Sequence, residues 1–191
     1  GNAFAQTGRD SIIIPENTEM IKYRAFSNCN ELKEIILPDS VRELGGYAFS
    51  GCTKLNFASL SDSITEIKEG TFSGCTGLAE AKLPNGVLKL AKNAFSNCSA
   101  LKEITLPDTI TATEESVFSG CKNLTNVNYP KSWTTASSNG KIFYGCEALT
   151  SISVPEGVSK IPNYAFYGCN NLKSILLPET LTAIGTAAFQ S

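Results

Sequence analysis

The feature that most constrains this chain is a cysteine that returns every 23 residues. Cys29, Cys52, Cys75, Cys98, Cys121, Cys146 and Cys169 are separated by 23 residues at every step but one, where the step is 25. Three residues before each cysteine stands a phenylalanine (Phe26, Phe49, Phe72, Phe95, Phe118, Phe143, Phe166). Phe189 continues that register, and Phe4 reads as a degenerate first copy. Three residues after each cysteine comes a leucine, from Leu32 to Leu172. A period of this size denotes stacked repeats. One such unit is too small to bury its own apolar face, so the core closes only when each unit covers the next.

Inside each unit two apolar residues flank one other residue. The pairs are Ile12/Ile14, Ile35/Leu37, Ala58/Leu60, Ala81/Leu83, Ile104/Leu106, Val127/Tyr129, Ile152/Val154 and Ile175/Leu177. That alternation marks a short strand with one buried face. Proline follows in every unit but one, from Pro15 to Pro178, with Ser61 the exception. Having a fixed φ and no N–H to donate, proline ends the strand. Further apolar positions, such as Val41 and Leu44 or Ile64 and Ile67, lead the chain back to the next phenylalanine.

The expected fold is therefore a strand-rich α/β repeat superhelix of about eight coils. The repeats run over 4–25, 26–48, 49–71, 72–94, 95–117, 118–142, 143–165 and 166–191, as one domain spanning 1–191. Its strands should pair in parallel, about 4.8 Å apart.

The unit Ala94-Phe95-Ser96-Asn97-Cys98-Ser99-Ala100-Leu101-Lys102-Glu103-Ile104-Thr105-Leu106-Pro107 resembles the repeat of BspA-like leucine-rich proteins, which are surface and secreted proteins of bacteria and some protists. The resemblance extends over nearly the whole chain. It implies a right-handed leucine-rich-repeat solenoid with its parallel sheet on the concave face. It also implies a cell-surface or secreted, adhesion-type module.

Function should then sit on the outward strand positions. These are Ser11/Ile13, Glu34/Ile36, Phe57/Ser59, Glu80/Lys82, Glu103/Thr105, Asn126/Asn128, Ser151/Ser153 and Ser174/Leu176. The N-terminal half of this row is partly apolar, the middle charged, and the C-terminal half mostly Asn and Ser. Candidate ligand-binding residues are Ile13, Glu34, Ile36, Phe57, Ser59, Glu80, Lys82, Glu103 and Thr105. Phe57 stands where other copies are polar, in the unit that also lacks the proline and has Ala58 inside. Two readings are open: an outward aromatic hot spot beside Ile36, or a one-residue slip that turns Phe57 inward.

The cysteines allow three readings. Disulfides need converging Cβ vectors, and metal sites need ligands converging on one point. A parallel ladder supplies neither, and the count is odd. Buried free thiols packing as small hydrophobes are the favoured reading. The acidic residues Glu34, Glu80 and Glu103 are spread over several repeats, whereas calcium needs about 6–8 oxygens at one point. Solvated charge is expected, with no metal and no cofactor. Trp133 falls in register with Val41, Ile64, Val87 and Ile110, so it is expected in the core, followed by a polar bulge. Sequons at Asn97 and Asn123 fall within the repeat consensus and carry no separate message.

The chain has no histidine, which removes the commonest general base and metal ligand. No phosphate loop or nucleophile motif is present. With 16 basic and 18 acidic residues there is no basic surplus for nucleic acid. No run approaches a membrane span, and Gly1–Gly8 lacks the basic and apolar regions of a leader. The expectation is a non-enzymatic scaffold for an extracellular protein or glycan, without nucleic acid or membrane insertion. A structural spacer or self-association segment is the alternative. Uncapped solenoid ends would favour weak end-to-end association.

Overall fold

A computed structural model describes residues 10–133 and 140–191. Phe4, the N-terminal octapeptide and the polar bulge expected after Trp133 lie outside the described residues. The fold is a solenoid of strand and turn, and its seven main strands fall at the alternating apolar positions. Glu34–Ile36, Phe57–Ser59 and Glu80–Lys82 form one parallel sheet. Glu103–Ile104 pairs with Asn126–Val127, and Ser151–Ser153 pairs with Ser174–Leu176. Ser11 joins Glu34 by a single parallel bridge. The register advances one repeat per strand, as in Ile35↔Ala58↔Ala81.

A second ladder, which the periodicity did not announce, runs along another side. It is made of two-residue strands: Met20–Ile21 with Glu43–Leu44, then Glu66–Ile67, Lys89–Leu90 and Ala112–Thr113, then Lys160–Ile161 with Ala183–Ile184. In four of these seven strands a buried apolar residue follows a charged one. The outward residues form ion pairs from coil to coil. Lys89 Nζ lies 3.0 Å from Glu66 and 2.9 Å from Glu114. Glu43 pairs with Lys68, and Lys92 with Glu115.

Between the two ladders lies the core. Successive phenylalanine rings from Phe26 to Phe189 stack with centroids 5.3–5.7 Å apart and planes within 5–14°. That is the offset-stacked geometry aromatic rings favour, and each buried ring contributes about 1.5–3 kcal/mol from burial alone. Leucines after the cysteines and the inward strand residues fill the rest of one continuous cluster.

Among the described residues the return side carries turns and no helix, so the solenoid's α/β character reduces to strand and turn. The hydrogen bonds give the reason. A helix needs consecutive i→i−4 bonds, but here the phenylalanine N–H reaches across to the next coil. Phe49 donates to Thr71 O at 2.9 Å, and Phe72 to Ala94 O at 2.8 Å. The cysteine N–H turns back three residues, Cys75 to Phe72 O at 3.1 Å. Positive φ also recurs. The residue before each cysteine is left-handed in every coil, with Asn28 at 60°, Gly74 at 74° and Asn97 at 60°. Only Asn and Gly occupy that position, the two residue types that tolerate this region best.

All seven cysteines are free and buried. Each thiol from Cys52 onward donates to the carbonyl of the phenylalanine one coil behind, at 3.0–3.3 Å. Burial pushes the Cys121 thiol up to about 12. Burial first, then the neighbouring Cys52, pushes Cys29 up to about 11. Trp133 is core, 3% exposed, edge-on to Tyr129 at 5.1 Å. Neither Tyr129 Oη nor Trp133 Nε1 has a hydrogen-bond partner among the described residues, and burial pushes the Tyr129 phenol up to about 12.

Candidate binding face

The strand pleat sends alternate side chains to opposite sides, and Phe57 obeys it. Ala58 is fully buried, whereas Phe57 and Ser59 on either side are half-buried. No register slip has occurred, so Phe57 stands on the outer face of the sheet. Its neighbours follow from the pairing: Glu34 and Glu80 lie opposite it on the adjoining strands. Lys82, one position further along, places its ammonium 5.4 Å from the Phe57 ring centroid, within cation–π range. The same ammonium lies 3.8 Å from Glu80.

All nine candidate residues therefore share one face, in two parallel rows. Glu34, Phe57, Glu80 and Glu103 form one row. Ile13, Ile36, Ser59, Lys82 and Thr105 form the other. Ile13 is 92% exposed and Ile36 57% exposed. Nothing brings Glu34 together with Glu103, and among the described residues no three Asp, Glu or Cys converge as a metal would require. Glu103 and Thr105 form no side-chain hydrogen bond or ion pair among the described residues.

The face is not continuous. No ladder joins Glu80–Lys82 to Glu103–Ile104. Elsewhere the two residues that open a strand both donate to one carbonyl of the preceding coil. Ala79 and Glu80 reach Asn56 O at 2.9 and 3.2 Å, and Thr125 and Asn126 reach Lys102 O at 2.9 and 3.3 Å. The matching bonds from Lys102 and Glu103 to Ala79 O are missing. Instead the coils meet earlier, where Ala100 donates to Thr76 O at 3.1 Å. The second break, between Asn126–Val127 and Ser151–Ser153, has the same companion, with Ala148 donating to Lys122 O at 2.9 Å. Both breaks thus follow an alanine two residues after the cysteine, a position held by Glu, Lys, Gly or Asn in the other coils. That was the available sequence signal. At the first break the surface sinks into a depression of about 410 Å³ bordered by Glu80, Lys82, Asn85, Glu103 and Thr105.

A stack of 23-residue coils with parallel strand ladders, a leucine–phenylalanine–cysteine core and a variable outer sheet face defines a leucine-rich-repeat solenoid. The family model of the BspA type leucine-rich repeat region matches residues 1–125 and 89–191, with six copies. The chain belongs to this family of BspA-type leucine-rich repeat proteins. Repeats of this kind are in general non-enzymatic scaffolds. A leucine-rich repeat protein from Bacteroides ovatus is similar in structure with a TM-score of 0.79 and 34% identity, over 87% of this chain and 43% of that one. The T. pallidum leucine-rich repeat protein gives 0.66 and 28%, over 93% and 74%. A leucine-rich cell surface protein from Faecalibacterium prausnitzii gives 0.64 and 26%, over 96% and 50%. The chain thus spans less than half of the first of these relatives. No match was found among curated proteins.

Proposed function

We propose that the chain is a non-enzymatic interaction scaffold of a cell-surface or secreted protein, binding an extracellular protein or glycan through the outer face of its main sheet. One observation carries the reading: exposed Ile13 and Ile36 and half-buried Phe57 gather in the N-terminal half of a face whose other positions, Leu176 apart, are polar. Apolar side chains left on a sheet that otherwise alternates cleanly are what an interface core requires. The similarity to a leucine-rich cell surface protein supports the location. The test is binding of the chain to arrays of extracellular matrix proteins and glycans, with Phe57→Ala and Ile36→Ser in parallel. Specific binding that both variants weaken is the expected result. Binding to nothing, or binding indifferent to both variants, would favour a spacer.

A further inference from the structure

The break between Glu80–Lys82 and Glu103–Ile104 has a chemistry that narrows the partner. We infer that it is a subsite for a neutral sugar residue of a glycan; this rests on the outer face being the binding surface. Three observations bear on it.

The first is size. At about 410 Å³ the depression lies in the range of small-ligand sites, roughly 300–1,000 Å³, and above what a single water needs.

The second is the mixture of polar groups. Glu103 and Glu80 offer acceptors in pairs, Asn85 offers both an acceptor and donors, Thr105 offers a hydroxyl that can act either way, and Lys82 offers a donor. The missing strand bond adds backbone: Glu103, which lines the depression, keeps an N–H that a regular ladder would have used up. A ring of hydroxyls, each both donor and acceptor, is the ligand class that satisfies such a set. A peptide strand cannot use it, because the flanking coils remain neighbours and leave no strand-wide gap.

The third is charge and shape. Lys82 is held by Glu80 at 3.8 Å, so Glu103 is left uncompensated and the depression is net negative. That disfavours uronic, sialylated or phosphorylated sugars. Half-buried Leu83 and Pro107 supply the apolar part of the lining, against which the C–H face of a pyranose can rest.

The experiment is a titration of the ¹⁵N-labelled chain, followed by amide shifts, with methyl α-mannoside, methyl β-galactoside, N-acetylglucosamine, glucuronate and N-acetylarginine amide. At least one neutral sugar should give saturable shifts confined to residues 80–85 and 102–107, with a Kd on the order of 1 mM. Glu103→Gln and Thr105→Val should each weaken it about tenfold, the scale of one hydrogen bond to a charged group or of one orphaned partner. Their remaining resonances should be unmoved, which shows that the coils are intact. Shifts with N-acetylarginine amide and none with sugars would overturn the inference in favour of a basic protein side chain. Glucuronate binding as tightly as the neutral sugars would overturn the charge argument. No shift with any probe would overturn the subsite itself. The scaffold reading is judged separately, by the Ile36 and Phe57 variants on the arrays.

Discussion

The thiol of Cys98 donates to the carbonyl of Phe72, one coil behind, at 3.1 Å. The same carbonyl accepts the N–H of Cys75, so the sulfur ties three consecutive structural levels: a ring, its own turn and the next coil. This explains why the position is cysteine rather than alanine or valine. It must be small, apolar enough to lie fully buried, and still able to donate. Cys98→Ala should cost about 1–3 kcal/mol in urea unfolding, from the small cavity and the lost bond together. Cys29→Ala should cost less, because Cys29 lies at the edge of the described core and its thiol has no such bond among the described residues. Equal losses at both positions would show that packing alone sets the value.

The buried thiols also make stability depend on alkaline pH. An unfolded cysteine ionises near 9.0, whereas burial holds Cys121 to about 12. Below 9.0 both states are neutral and the native state is fully favoured. Between 9.0 and about 12 the native state keeps a proton that the unfolded chain has lost, so stability falls as pH rises. For Cys121 alone the slope is about 1.4 kcal/mol per pH unit. Urea midpoints should therefore drop through this window in reducing buffer, and Cys121→Ala should flatten the decline by about one proton. A midpoint independent of pH from 9 upward would mean that the thiols reach solvent.

Much of this was legible in the sequence because a 23-residue period repeats each constraint seven times. The Phe, Cys and Leu rows and the outward strand positions were read from spacing alone, and Trp133 from its register with Val41 and Ile64. The second ladder was not legible. Its strands have two residues, such as Lys89–Leu90, too short for alternation to stand out from an ordinary turn. The direction of Phe57 stayed open because Phe57 and Ala58 are both apolar; packing chose the smaller for the interior. The first sheet break leaves the repeat length unchanged and only Ala100 marks it, whereas the second falls on the 25-residue step and carries Ala148 besides.

The left-handed position before each cysteine yields a graded prediction. Gly74 has φ +74° and open space where a Cβ would lie, with nothing nearer than 3.8 Å. Gly74→Ala should cost about 1–2 kcal/mol from backbone conformation alone. Gly74→Asn should cost less, since Asn28 and Asn97 hold the same conformation. At Gly51 the same methyl would meet Asn28 Oδ1 at 2.3 Å, so Gly51→Ala should be the more damaging change. Thermal unfolding of the three variants orders them; a reversed order would remove the steric part.

Acid should loosen the second ladder. The Lys89 ammonium, then the Lys92 N–H, hold the Glu114 carboxyl below its usual 4.5. Its contribution is present above 4.5 and is lost as pH falls through the lowered native value. The groups are near the surface, so the effect is small, well under about 1 kcal/mol, and screened by salt. Glu114→Gln should remove part of the stability difference between pH 7 and pH 3 at low salt. It should remove little of it at about 1 M salt, where the Debye length is about 3 Å. An acid profile unchanged in the variant at low salt would show that Glu114 contributes nothing.

Two phenylalanines separate structure from function. Phe95 is fully buried, stacked between Phe72 and Phe118 at 5.3 and 5.6 Å. Phe95→Ala should cost about 3–5 kcal/mol, as for other large-to-small core changes. Phe57 is half-buried on the outer face, and its interaction with Lys82 is a partly solvated one worth about 0.5–1 kcal/mol. Phe57→Ala should therefore lower stability by about 1 kcal/mol while removing ligand contact. A binding loss in Phe57→Ala at a temperature where the variant is fully folded would assign the ring to the interface. A stability loss as large as that of Phe95→Ala would instead make Phe57 part of the core, and its exposure a consequence of sheet geometry rather than of use.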